Sequence, residues 1–204
     1  MKNVQKRSRK TAGQILCAAR ELFAELGYDK TSAEKIAKVA GVSKASVFAH
    51  YLDKTNILAA IGIEDIRHLI EGSQRLVQNR EELPLPEAAV KFYAPWLEFF
   101  LRNPDFTRLY LYQSGLSRGS WATEFIQSCN QQEIMLSQLI KKHPSSPPLS
   151  EKKPAFLARG GQAFFFQVVT YRVNGWIRSD TQARTDLSEY LKAWLHSPGD
   201  DTAS

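Results

Sequence analysis

Apolar residues recur at three-and-four spacing through almost the whole chain, and no sustained period-two alternation bounded by hairpin turns interrupts them. That period places one apolar stripe on a helix and gives a strand no consistent face. The fold class read from the sequence is therefore all-α, with about nine helices. At 204 residues and 43% apolar content, the chain can bury a real core and is near the size at which one domain becomes two.

The helix boundaries follow from punctuation. Ile15, Ala19, Leu22, Phe23 and Leu26 form one stripe, and Gly27 stands where a left-handed residue would end it, so a first helix is predicted over residues 8–26. A short second helix is capped by Thr31 or Ser32, with Thr31 and Glu34 at capping-box spacing, and Ile36, Ala37 and Ala40 face inward. Gly41 breaks it. Ser43 caps a third helix that turns Val47 and Tyr51 inward, and Asp53 caps a fourth running through Ile57, Leu58 and Ile61. Prolines then mark boundaries of helices over 86–103, 105–115, 119–142, 151–178 and 182–196. The expected division is a DNA-binding domain over 1–54 with a basic arm at 1–10, a helical body over 55–198, and a disordered tail over 199–204.

Charge supports that division. The formal net charge is +6; residues 1–54 hold eleven Lys/Arg against five Asp/Glu, while residues 55–204 hold sixteen of each. A neutral body with a basic head suits a phosphate backbone, because neutralising phosphates releases condensed counterions. A solvated basic tail would carry the same charge. No run of ~18 apolar residues is present to span a bilayer, and the basic start is not followed by a signal-peptide apolar block, so no membrane partner and a cytoplasmic location are expected. Cys17 and Cys129 are too few for a disulfide framework or metal cluster, and both fall inside apolar helical pattern, where a thiol behaves as a small buried hydrophobe.

The stretch Ile36 to Val47 has a helix-turn-helix pattern. Ala37 is small where the second helix of the pair crosses, Gly41 supplies the turn, Val42 and Val47 fill the space between the helices, and Ser43, Lys44 and Ser46 are left outward. Such an outward face reads base edges from the start of the second helix while the first crosses the backbone. These residues, with Thr31-Ser32, Val47-Phe48-Ala49-His50-Tyr51 and Asp53-Lys54, resemble the DNA-binding unit of the tetracycline-repressor (TetR) family over about residues 8–60. The resemblance implies that Lys44, Ala45 and Ser46 approach base edges with Glu34 as a neighbour, and that Ser32, Ser43, Phe48, His50 and Lys54 anchor the backbone. One departure stands out. The family usually carries tyrosine where this chain has Phe48, which has no hydroxyl to offer a phosphate.

A helix-turn-helix this short buries too little DNA to be specific alone, so a homodimer on a palindromic operator is expected. The helix over 151–178 is apolar on two sides, and Phe166, Val169, Val173 and Ile177, with Leu187, Leu191 and Trp194, form the candidate dimer face. Gly160-Gly161 would permit close approach there, and the resemblance independently implies a dimer through the last two helices. The aromatic segment around Pro95 suggests a pocket for a small, flat, apolar effector, lined by Phe92, Trp96, Phe99, Phe100, Tyr110, Phe165 and Gln167, although for any single ring ordinary core packing is the better account. The expected function is a sequence-specific transcriptional regulator, a repressor released from its operator by that effector. A ligand-independent DNA-binding protein, or a regulator controlled by a protein partner, is the alternative. No glycine phosphate loop or serine elbow argues for an enzyme, and Asp65 and His68, though spaced for one helix face, lack a partner motif. No catalytic residue, metal or cofactor is expected.

Overall fold

The computed structural model describes residues 2–79, 83–112, 122–143 and 152–195. Among these, every regular element is a helix: α1 (Lys2–Leu26), α2 (Ala33–Ala40), α3 (Lys44–Tyr51), α4 (Lys54–Gln78), α5 (Leu85–Arg102), α6 (Pro104–Tyr112), α7 (Ala122–Lys142), α8 (Lys152–Val173) and α9 (Asp180–Leu195). None of the described helices is long and apolar enough to cross a membrane. The chain forms two compact units, Met1–Asp65 with Tyr112–Ile126 and Ile66–Leu111 with Gln127–Ser204, so the division falls inside α4. The segments around Pro144–Pro148 and the tail 199–204 lie outside the described residues.

In the first unit, Ile15, Ala19 and Leu22 of α1 pack with Ile36, Ala37 and Ala40 of α2, Val47 and Tyr51 of α3, and Ile57, Ala60 and Ile61 of α4. Each large aliphatic side chain so buried contributes about 1.5–3 kcal/mol. The first turns of α4 belong to this core because Asp53 caps the helix, accepting from the Asn56 backbone N–H at 2.7 Å. Tyr51 donates its hydroxyl to the Ala12 carbonyl at 3.2 Å, and burial pushes its pKa up to about 12.

Several local expectations are corrected. The first helix starts at Lys2, six residues before Ser8, as Lys, Gln and Arg favour helix; the side chains of Lys6, Arg7, Arg9 and Lys10 are exposed along it. Ser32 alone caps α2, accepting from the Lys35 N–H. Thr31 is buried, and its hydroxyl meets the Leu22 and Gly27 carbonyls, closing α1 instead of opening α2. Cys17 is exposed beside Glu21, on the polar side of α1. The helix predicted to reach residue 178 ends at Val173, because Gly175 takes φ +80 and the Trp176 N–H turns back to the Tyr171 carbonyl.

The second unit is built on aromatic rings. Tyr93 stacks on Phe165 with centroids 5.0 Å apart, and Phe100 meets Tyr110 at 4.6 Å and Phe165 at 5.6 Å. Trp96 donates its indole N–H to Ser73 of α4 at 2.9 Å, as a buried indole requires. Gly160 of α8 lies under the Trp194 ring of α9, so the glycine pair serves close packing within one copy of the chain.

That packing revises the expected dimer face. Val169, Ile177, Leu187 and Leu191 are buried inside a single copy. Ile177 also falls beyond the end of α8. Phe166, Val173 and Trp194 remain partly exposed.

Candidate nucleic-acid interface

The turn between α2 and α3 is set by backbone chemistry. Gly41 adopts φ 66, ψ 33, a left-handed conformation that costs glycine little, and its N–H closes onto the Ala37 and Lys38 carbonyls. Ser43 then opens α3, accepting from the Ser46 N–H at 3.1 Å and sharing a 2.8 Å contact with the Ser46 hydroxyl. With Val47 and Tyr51 turned into the core, the other side of the short α3 must be presented outward.

The structure places Ser43, Lys44, Ala45 and Phe48 exposed on that side, with Ser46 and His50 half-buried. Glu34 of α2 joins them: its carboxylate receives the Lys44 ammonium in an ion pair that bridges the two helices. Both side chains stay more than half exposed. The Lys44 ammonium also stands 5.7 Å from the Phe48 ring centroid. Lys44 and the helix's own start hold the Glu34 pKa down at about 2, the Lys44 hydrogen bond being the main cause. Ser32, half-buried, spends its hydroxyl on the α2 cap.

Lys54 sits apart from this cluster. Its ammonium donates to the Tyr28 carbonyl at 2.7 Å and lies 4.0 Å from the centre of the Tyr28 ring. The Tyr28 hydroxyl in turn contacts Thr55 at 3.1 Å, so Lys54 fastens the start of α4 to the α1–α2 turn. Sequence reasoning missed this role, since the partner is a backbone carbonyl 26 residues away.

Leu52, in the α3–α4 turn, was also overlooked. It adopts φ 62, ψ −51, a region that disfavours a branched residue, and the Asp53 N–H reaches back across it to the Tyr51 carbonyl at 2.6 Å. This is a strained three-residue turn. Its side chain is 55% exposed, beside the outward side of α3. Asp65, spaced with His68 as a metal ligand would be, is instead bound by Arg20 at 2.8 and 3.0 Å, and the same guanidinium reaches Glu64 and the Ile61 carbonyl.

The residues named for an effector pocket are brought together only in part. Phe92, Trp96, Phe100, Tyr110 and Phe165 are buried and Phe99 packs beside them against Phe100 and Phe106, but Gln167 is exposed. Phe165, Val168 and Val169 occupy the inner side of α8, which turns Gln167 outward. A groove of about 520 Å³ between α5 and α9 is lined by Val90, Ala94, Leu97, Leu187 and Leu191 together with Glu98 and Arg184, and by none of the named aromatics.

Two helices crossing at a left-handed glycine, with a polar outward side on the second and an apolar core behind it, define a helix-turn-helix unit. Residues 15–61 match the family model described as bacterial regulatory proteins, tetR family. A transcriptional repressor of Mycobacterium tuberculosis, Rv1474c, is 35% identical over 101 residues, covering 47% of this chain and 54% of that protein. The transcriptional activator FasR of Mycolicibacterium smegmatis is 31% identical over 90 residues, 42% of this chain and 40% of its own length. The chain thus spans about half, or less, of the curated relatives it matches. A crystal structure of Thermus thermophilus FadR, a TetR-family transcriptional repressor in complex with lauroyl-CoA, shares the fold over 92% of this chain and 98% of its own at TM-score 0.70 and 19% identity. Over residues 15–61 the chain is thus similar to the tetR family of bacterial regulatory proteins, and it shares its fold with a TetR-family structure.

Proposed function

We propose that the protein is a transcriptional regulator that binds double-stranded DNA as a homodimer through α2 and α3, and that it represses until a small molecule bound in the second unit releases it. The observation that carries the DNA-binding reading is the outward side of α3, where Ser43, Lys44, Ala45, Ser46 and Phe48 are presented with no apolar role to fulfil. Ser43 and Ser46, with His50 behind them, supply short polar groups for phosphates, and Phe48 supplies an apolar contact to sugar or a thymine methyl. Lys54 acts by fixing the start of α4. Selection from random duplexes with purified protein, followed by mobility-shift titration, tests the reading. A recovered inverted repeat with nanomolar affinity supports it; indifference to sequence over the whole titration refutes it.

The homodimer reading is supported by four rings gathered on α8 and α9. Phe156 is 61% exposed and packs on Trp194, which meets Phe164, which meets Tyr190. These replace the buried residues first named for the interface. Sedimentation equilibrium tests it: Phe156→Glu should shift a dimer toward monomer, and an unchanged mass would place the interface elsewhere.

The small-molecule reading is supported by two fully buried polar side chains, Tyr93 and Gln132, whose hydroxyl and amide atoms have no hydrogen-bond partner among the described residues. Each such group costs about 1–3 kcal/mol if left so. Tyr93 is framed by Phe92 and Phe165 and lies within the field of Glu133 on α7, next to Gln132. A ligand with an apolar body and an uncharged hydrogen-bonding group matches that setting. The release step is a population shift: a ligand preferring one spacing of the two recognition helices changes operator affinity by its differential affinity for the two states. Operator affinity unchanged by every molecule that raises the melting temperature would overturn this step while leaving DNA binding intact.

A further inference from the structure

We infer that Glu34 and Lys44 act as one reading unit that selects a single G·C base pair in each half of the operator. The inference rests on the DNA-binding reading above and concerns what α2 and α3 recognise.

Three observations lead to it. Lys44 is the first residue of α3 and Glu34 the second of α2, so the ion pair ties together the two helix starts of the helix-turn-helix. Both side chains are exposed, and neither is shielded by the core beneath. The ammonium is oriented on a second side by the face of Phe48. Lys44 is therefore a held donor beside a held acceptor, unlike a mobile lysine sampling phosphates.

A carboxylate on this surface repels every phosphate it approaches, whatever the sequence. The Lys44 ammonium offsets part of that cost, and a donor on a base edge offsets the rest. In the major groove a G·C pair presents N7 and O6 acceptors on guanine next to the N4 amino donor on cytosine. An ammonium and a carboxylate side by side match that edge, with Lys44 on the guanine acceptors and Glu34 on the cytosine amino group. An A·T pair puts its donor on the purine and an acceptor and a methyl on the pyrimidine, so the same pair would set the carboxylate against an oxygen. Glu34 thereby improves selectivity in two ways, by rewarding one base pair and by weakening attachment to DNA at large.

The experiment selects operators from random duplex DNA with the wild type, Glu34→Gln and Lys44→Met, then measures affinity for the selected site, for that site with the G·C pair changed to A·T, and for unrelated duplex. Circular dichroism confirms that the exposed substitutions leave the fold intact. The expected wild-type result is one G·C pair required in each half-site, its replacement weakening binding roughly tenfold to a hundredfold. Glu34→Gln should lose most of that discrimination while binding unrelated duplex more tightly, and Lys44→Met should lose discrimination at the same base pair. The inference is overturned if Glu34→Gln keeps the wild-type preference, or if it raises affinity for all duplexes by the same factor. A wild type that selects no sequence would overturn the DNA-recognition reading itself, a result distinct from both.

Discussion

Replacing Gly160 with alanine adds one methyl group where the structure has no room for it. A Cβ built on Gly160 would lie 2.4 Å from Cε2 of Trp194 and 2.5 Å from its Cζ2 and Nε1, against about 3.5–4.0 Å for carbon atoms in contact. The indole must move by about 1 Å or more. Its N–H now donates to the Leu157 carbonyl at 3.0 Å, and that displacement breaks the bond, worth about 1 kcal/mol. Overpacking adds about 1–3 kcal/mol, while the better helix propensity of alanine returns about 0.5–1 kcal/mol. The net expectation is a loss of about 1–3 kcal/mol, or roughly 3–10 °C in the melting temperature of a chain of this length. Differential scanning calorimetry measures it, with Gly72→Ala as comparator: that helical glycine has only the tip of Arg75 nearby, at 3.8 Å, and should gain stability. Shrinking the ring in a Gly160→Ala, Trp194→Leu double variant should recover part of the loss relative to Trp194→Leu alone. If Gly160→Ala melts at or above the wild-type temperature, the close seating of Trp194 on α8 is wrong.

Leu52→Gly should raise the melting temperature measured by circular dichroism, because strain of about 1–3 kcal/mol at φ 62 is relieved and little burial is lost at an exposed side chain; a lower melting temperature refutes the strain. The Glu34 carboxyl, followed by NMR, should titrate near pH 2, with Lys44→Met moving the midpoint back toward 4.5. Since the folded-state pKa is depressed, the pair's small contribution is present above the unfolded value and fades as pH falls from about 4.5 to 2. A midpoint already near 4.5 in the wild type would show that the ion pair does not persist in solution. Tyr93→Phe and Gln132→Met should leave the ligand-free melting temperature unchanged or raised, since each removes buried polar atoms without partners among the described residues; a fall of several degrees would mean that those atoms are bonded in solution.

The helix-turn-helix was legible because each of its constraints is local: a small residue at the crossing, glycine at a positive φ, a serine cap, and apolar residues on one side. The cap of α2 was only half legible, since Thr31 and Ser32 both carry a hydroxyl, and what separates them is the approach of α1's end carbonyls to Thr31. The end of α8 was misplaced because the apolar pattern runs past Asn174-Gly175, a stop signal of two residues that periodicity overrides. The interface residues were misjudged for a different reason. A helix apolar on two sides must be covered twice, but the pattern does not say by what, and here α5, α8 and α9 of the same copy pack on one another and leave Val169, Leu187 and Leu191 buried. Lys54 shows the same limit, for a basic residue at a helix start suits a phosphate and a backbone carbonyl equally well.

The Arg20 guanidinium grips Asp65, Glu64 and the Ile61 carbonyl, and so ties the middle of α1 to a stretch of α4 that ends where the second unit begins. Asp65 lies eleven residues along α4 from Lys54, about 16 Å of helix rise away. On the proposed repressor reading, substitutions at Arg20 or Asp65 should then emerge in a genetic screen as loss of induction or loss of repression even though α3 is untouched. Compensating changes should arise at the opposite member of the pair before they arise anywhere on α3.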